Sequence, residues 1–69
     1  MTGKQFKAIR KKLGLTAAAW ARALGFQGME TSSMTRSIYR YESGERGIPT
    51  RTERLAIMYK KHGIPDEWL

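Results

Sequence analysis

Four glycines each follow a stretch in which apolar side chains repeat at helical spacing: Gly14, Gly25, Gly44 and Gly63. Glycine accepts the left-handed backbone conformation in which many helices end, so each glycine predicts a helix terminus. Helix-capping residues precede the same stretches, and no segment alternates apolar and polar residues with the period of a β-strand. The pattern predicts an all-α fold of four helices with a further helical turn at the end.

The first two predicted helices have side chains suited to N-caps. Thr2 precedes the first helix, and Gln5, three residues later, completes a capping box. Thr16 precedes the second helix, which is rich in alanine. Trp20 and Leu24 share one face of this second helix, and we expect Trp20 to be a core residue.

Irregular sequence separates the second predicted helix from the third. Residues 26–33 contain several turn formers and no helical stripe, which indicates a connecting segment. Ser32 or Ser33 is expected to cap a third helix that runs from about Met34 to Ser43. The third helix would then end at the glycine that follows Ser43.

The fourth helix is predicted to begin with a capping box formed by Thr50 and Glu53. His62 lies in its last turn, where a charged imidazole favours the helix dipole, so we expect no catalytic or metal role for it. Ile64 and Pro65 then open the terminal turn, with Pro65 at the first helical position.

Charge and length narrow the class of protein. The chain has 69 residues, with 13 Lys and Arg against 6 Asp and Glu, a net charge of +7 and no cysteine. This length fits one domain, residues 1–69, with a small core. Without cysteine, disulfides and cysteine-ligated metals are excluded, and we expect no metal, no cofactor and no small-molecule ligand. A basic excess is typical of proteins that bind a polyanion, the alternative being a solvated helix face that aids solubility.

Catalysis and membrane insertion find no support in the sequence. No paired carboxylates share a face and no nucleophile stands with a base, so we expect the protein not to be an enzyme. The longest apolar run is far too short to cross a bilayer, and the N-terminal lysines precede no signal-peptide core. Together with the absence of disulfides, these features favour a cytoplasmic protein.

The third predicted helix has two chemically different faces. At about 100° per residue, Met34, Ile38 and Tyr41 fall on one side and are expected to pack inward. The residues on and beside the opposite face are suited to reading DNA bases in a major groove: Thr35, Arg36, Ser37, Tyr39 and Arg40. Arginine forms a bidentate pair with guanine that is worth about 1–3 kcal/mol of discrimination. The alternative is an exposed amphipathic helix whose arginines contact nothing specific.

The order of three motifs resembles the Cro/C1-type (XRE) helix-turn-helix family. The motifs are Arg-Lys-Lys-Leu-Gly-Leu-Thr at residues 10–16, Leu-Gly at 24–25 and Tyr-Glu-Ser-Gly at 41–44, and the resemblance covers nearly the whole chain. It implies a compact, four- to five-helix, lambda-repressor-like domain in which the third helix is the recognition helix. Family members join the second and third helices by a tight turn, whereas here the turn is expanded by something like residues 27–33.

The resemblance also implies roles for residues outside the recognition helix. The positions expected to contact DNA phosphates are Thr16, Ser43, Arg46 and Arg51, with Ser33 added if the expanded turn touches DNA. An idle insertion is the alternative, because surface loops tolerate extra length at low cost. Arg10 and Glu42 match positions that form a structural ion pair in many members. Trp68 and Leu69 are expected to contact a second subunit, the alternative being that they fold back onto the core.

These features predict a sequence-specific, double-stranded DNA-binding transcriptional repressor. A homodimer would place two recognition helices in successive major grooves of an inverted-repeat operator and would autoregulate its own operon. Similar short regulators include phage control proteins, antitoxins and anti-CRISPR-associated repressors, and the Met-Thr-x-Lys start looks like some of that last group. The alternatives are an antitoxin-like protein-binding module and a nonspecific nucleoid-type DNA binder, whose affinity would fall steeply with salt.

Overall fold

Four α-helices and a terminal 3₁₀ turn make up the regular structure of the computed structural model, which describes residues 1–26, 28 and 30–69. The elements in chain order are α1 (Gly3–Lys12), α2 (Ala17–Ala23), α3 (Thr31–Ser43), α4 (Thr50–His62) and the 3₁₀ turn Asp66–Trp68. Helix α3 packs against α1 and α2, and α4 packs against α1. The predicted all-α fold is confirmed. No helix of the described residues is long and apolar enough to span a membrane.

The first two helices begin where the sequence predicts. The backbone N–H of Gln5 donates to the Thr2 hydroxyl at 3.1 Å, and the Thr2 N–H donates to the Gln5 side-chain oxygen at 2.9 Å. This reciprocal pair is the predicted capping box. At α2 the Thr16 hydroxyl oxygen accepts from the Ala19 N–H at 3.1 Å. Each cap satisfies backbone donors that have no partner within the helix.

Helix α3 begins earlier than its sequence predicts, and the prediction of Ser32 or Ser33 as its cap is wrong. Its N-cap is Glu30, which makes no side-chain cap hydrogen bond, and Thr31 is its first residue. The Met34 N–H donates to the Glu30 carbonyl at 3.0 Å, so the backbone itself provides the first turn. Both serines therefore lie inside α3, and the segment between α2 and α3 is residues 24–30 rather than the predicted 26–33. Of that segment, residues 27 and 29 lie outside the described residues.

The predicted capping box at α4 is also wrong. Pro49 is the N-cap and Thr50 is already the first helical residue, with no side-chain cap hydrogen bond. The Glu53 carboxylate instead accepts from the amino group of Met1, which joins the start of α1 to the start of α4. The Glu53 side chain therefore makes a tertiary contact instead of the local cap that the sequence pattern predicts.

A chain of aromatic rings forms the centre of the core. Phe6 of α1 is fully buried, and its ring lies 5.4 Å from that of Trp20 and 5.9 Å from that of Tyr41. Trp20 in turn lies 6.1 Å from Tyr59 of α4, and all these pairs are tilted or edge-on. Aromatic pairs favour such arrangements. Trp20 is fully buried, so the prediction that it belongs to the core is confirmed.

The buried Tyr59 connects α4 to the end of α2. Its hydroxyl donates to the Ala23 carbonyl at 2.6 Å, which satisfies one of the carbonyls left free at a helix end. Burial raises the pKa of the Tyr59 phenol above its usual value, because the ionised form is poorly solvated there. Trp68 packs edge-on against the same ring at 6.3 Å, so the terminal turn folds back onto α4.

Gly3 lets the start of α1 approach the end of α3. A Cβ atom at Gly3 would overlap the carbonyl oxygens of Tyr41 and Glu42, which are backbone atoms and are not free to rotate away. We expect Gly3→Ala to lower the free energy of unfolding by about 1–3 kcal/mol, the usual effect of overpacking, even though alanine is the better helix former. Urea denaturation measures this loss.

Gly47→Ala is the matched control for Gly3→Ala. Gly47 does not have a positive φ, and a Cβ there meets no atom within 4 Å. Its replacement is expected to leave the stability unchanged within about 0.5 kcal/mol. Equal stabilities for the two variants would mean that α1 and α3 are not held as closely as the structure describes.

Candidate nucleic-acid interface

The outer face of α3 carries most of the residues expected to read DNA. Met34, Ile38 and Tyr41 are buried, as predicted, which fixes the opposite face of the helix toward solvent. On that face Arg36 is exposed and Tyr39 is 54% exposed, although Tyr39 is a large aromatic side chain. An exposed tyrosine beside arginines offers a donor, an apolar ring and positive charge within one helix face.

A shallow depression of about 630 Å³ lies along this face of α3. The side chains that line it are those of Ser32, Thr35, Arg36, Tyr39, Arg40, Ser43 and Glu45. It therefore brings together four of the five residues predicted to read bases. Ser37 is the exception, because it lies on the opposite flank of the helix from Thr35 and is partly buried. Of the predicted phosphate ligands, Ser43 lines the depression and Ser33 does not.

Ser32, which was predicted only as a possible N-cap of α3, and Glu45 also line the depression. Glu45 is the only acid among the described residues that line the depression, and its Oε2 lies 3.8 Å from Nε of Arg40. Both side chains are well exposed, and exposed ion pairs contribute only about 0–1 kcal/mol. Arg40 is therefore able to exchange this partner for another anion. The left-handed Gly44 and its neighbours, rather than any pattern in α3, bring Glu45 back to the helix.

The turn after α3 is built by its own hydrogen bonds. The Ser43 hydroxyl donates to the Arg40 carbonyl at 3.1 Å and accepts from the Glu45 N–H at 3.3 Å. The Arg46 N–H reaches back to the same Arg40 carbonyl at 3.2 Å, and Gly44 adopts a φ of 83° that a side chain would strain. The Ser43 hydroxyl is thus engaged with the backbone, while the guanidinium of Arg46 remains exposed.

A nearly buried ion pair holds α3 in place. Nε of Arg10 donates to Oε2 of Glu42 at 2.7 Å, and Nη2 donates to Oε1 at 3.3 Å. Nη1 of Arg10 also donates to the carbonyl of Leu15 at 3.1 Å. The two side chains are 13% and 5% exposed. One guanidinium therefore ties α1 both to the end of α3 and to the turn that precedes Thr16.

The other predicted contacts lie on neighbouring elements. Thr16 is exposed at the start of α2, where its oxygen already accepts from the backbone and its hydroxyl proton remains able to donate. Arg51 is exposed in the first turn of α4. Trp68 and Leu69 are 46% and 49% exposed, so the terminal turn both folds back onto Tyr59 and leaves apolar surface accessible.

No group of three potential metal ligands occurs among the residues that the structure describes. Comparisons with known protein families, curated proteins and solved structures found no match.

Proposed function

We propose that the protein is a sequence-specific, double-stranded DNA-binding transcriptional repressor that reads a major groove with α3. The observation that carries this proposal is the outer face of α3. It combines Arg36, Arg40 and exposed Tyr39 around one depression, while the inner face of the same helix is buried. Because the exposed Tyr39 ring contributes little to the core, its position is better explained by contact with a binding partner.

The helical shape and the positive charges of this face suit the major groove of DNA. A B-form major groove is about 12 Å wide and admits one α-helix. The arginines pair with guanine edges, and Tyr39 packs against a thymine methyl or donates to a phosphate. The hydroxyls of Thr35 and Ser37 contact bases or phosphates on either side of them. The net charge of +7 supplies attraction to the phosphates that does not depend on sequence.

The remaining contacts position the helix. Thr16, Arg46 and Arg51 donate to phosphates around the reading face, with Ser33 and Ser43 at the two ends of α3. The Arg10–Glu42 ion pair holds α1 and α3 together and makes no DNA contact of its own. The order of motifs supports membership of the Cro/C1-type helix-turn-helix family, including its phage and anti-CRISPR-associated repressors.

A homodimer completes the proposal. Trp68 and Leu69 supply exposed apolar surface at the end of each subunit, and two-fold symmetry matches an inverted-repeat operator. Such an operator in the promoter of the protein's own operon gives autoregulation by protein concentration. The site of action is the cytoplasm.

Selection of duplexes from a random DNA pool tests this function. The selected duplex is then titrated against random DNA at near-physiological salt, and we expect an inverted repeat bound about a thousandfold or more tightly. If no motif emerges and all binding disappears as salt rises, the protein is a nonspecific, nucleoid-type binder and the reading face is misassigned.

Arg36→Ala and Arg40→Ala are each expected to weaken binding to the selected duplex by about 1–3 kcal/mol and to relax preference at one base position. Titrations of the selected duplex and of base-substituted duplexes measure both effects. Lys7→Ala is the control, because it also removes one positive charge and Lys7 is exposed on α1, outside the depression on α3. Equal losses on selected and random DNA would identify both arginines as phosphate contacts only.

A further inference from the structure

A second groove, between α1 and α4, has a different chemistry from the α3 face. Its floor is apolar, formed by Ala8, Ile9 and Ile57, and its volume is about 620 Å³. Ile57 remains 39% exposed, although it is a branched aliphatic residue in the middle of a helix. None of the residues that line this groove lines the depression on α3.

The two ends of this groove differ in charge. At one end the amino group of Met1 pairs with Glu53, so the acid there is already neutralised. At the other end Lys12 of α1 lies near Lys60 and Lys61 of α4, and the described residues that line the groove include no second acid. Lysines in the last turn of a helix also offset its dipole. That role does not account for an apolar floor left open between the two helices.

The length of the groove between α1 and α4 sets the length of the helix that it can bind. Because Met1 contacts Glu53, α1 and α4 start together and line the groove in the same direction. From Gln5 to Lys12 the helix axis advances about 10 Å, which is two helical turns. A partner helix of that length presents apolar anchors at positions i, i+3 or i+4, and i+7.

We propose that this groove binds an acidic amphipathic helix of a partner protein. Its apolar side chains lie on the floor beside Ile57, and its carboxylates lie against Lys12, Lys60 and Lys61. A second copy of this chain is a poor occupant of this groove, because the chain has only 6 acids and two of them, Glu42 and Glu53, are already paired with Arg10 and Met1. Phosphates alone leave the apolar floor uncovered. Since the groove and the α3 face share no residue, this inference does not depend on the proposed function.

A synthetic helical peptide of about 15 residues is the probe, because shorter peptides form little helix in water. It carries leucines at i, i+4 and i+7 and glutamates on the flanking positions. Fluorescence anisotropy of the labelled peptide with the full chain is expected to show saturable, one-to-one binding. A peptide of the same composition with scrambled leucine positions, and one with lysines in place of the glutamates, are expected not to bind.

Two neighbouring residues give a matched pair of variants. Ile57→Asp is expected to weaken peptide binding by about tenfold or more, the effect of losing one buried anchor. Met58→Asp changes the adjacent residue, which is 50% exposed and lies outside the groove, and is expected to leave binding unchanged. Lys60→Glu with Lys61→Glu reverses two exposed charges with little risk to folding and is expected to abolish binding. Far-UV circular dichroism checks that each variant is folded.

Several results would overturn this inference. Equal binding by the two peptides with different leucine positions, or equal losses for Ile57→Asp and Met58→Asp, would show that only net charge is recognised. Displacement of the peptide by random duplex DNA would mean that the groove is part of a nucleic-acid surface. If the selection from random DNA yields no motif while the peptide still binds, the proposed function is overturned and the inference about this groove stands.

Discussion

Glu42→Ala is expected to lower the free energy of unfolding by about 3–5 kcal/mol, because it leaves the Arg10 guanidinium nearly buried without a counter-charge. The carboxylate accepts two hydrogen bonds from that guanidinium and is itself 5% exposed. After its removal only the Leu15 carbonyl remains as a described partner of Arg10. Urea denaturation, followed by far-UV circular dichroism, measures the loss.

The control for Glu42 is Glu45, which lies three residues further along the chain, just after the end of α3. Glu45→Ala removes an exposed acid that lies 3.8 Å from Arg40, and such pairs contribute about 1 kcal/mol at most. Arg10→Met combined with Glu42→Leu replaces the whole ion pair by apolar side chains and is expected to cost less than Glu42→Ala alone. Equal effects of Glu42→Ala and Glu45→Ala would show that burial of the Arg10 pair contributes nothing.

This ion pair also links stability to the proposed interface. Arg10 contacts both the end of α3 and the Leu15 carbonyl just before Thr16. It therefore fixes the position of Thr16 relative to the reading face of α3. Loss of the pair therefore affects DNA binding through the position of α3, even though neither residue touches DNA. Arg36→Ala, in contrast, changes the interface and leaves the buried residues in place.

Local patterns in the sequence predicted the helices because amphipathic periodicity and capping depend on neighbours a few residues apart. Thr2 and Thr16 cap their helices, and Met34, Ile38 and Tyr41 are buried together. The same local reasoning misplaced the start of α3, since a serine that is able to cap a helix is also able to lie inside its first turn.

Features made by distant segments were not predictable in this way. Gly3 has no turn or positive φ to mark it, and only the packing of α1 on α3 shows why a side chain is excluded there. Glu53 looked like part of a capping box until the fold brought Met1 to it. The groove at Ile57 likewise exists only because α1 and α4 lie side by side. Each depends on which helices pack together, and helical periodicity alone does not specify that.

Phe6→Ala is expected to lower the free energy of unfolding by about 3–5 kcal/mol, the usual effect of deleting a buried aromatic ring. The Phe6 ring is fully buried and contacts Trp20 and Tyr41, so it joins α1 to both α2 and α3. Aromatic pairs of this kind contribute about 0.5–1.5 kcal/mol beyond the area that they bury. The neighbouring rings are large and belong to different helices, so they do not easily close the cavity.

The expected loss of stability determines whether the Phe6→Ala variant remains folded. At about 0.05–0.15 kcal/mol per residue, a chain of this length has a stability of about 3–10 kcal/mol. Phe6→Ala thus removes a large part of the total, and we expect its near-UV circular dichroism and its cooperative thermal transition to be strongly reduced or lost. Phe6→Leu keeps most of the buried volume and is expected to remain folded with a lower midpoint. A cooperative Phe6→Ala variant within about 1 kcal/mol of the parent would mean that Trp20 and Tyr41 pack together without Phe6, so that α1 is not needed to hold α3 on α2.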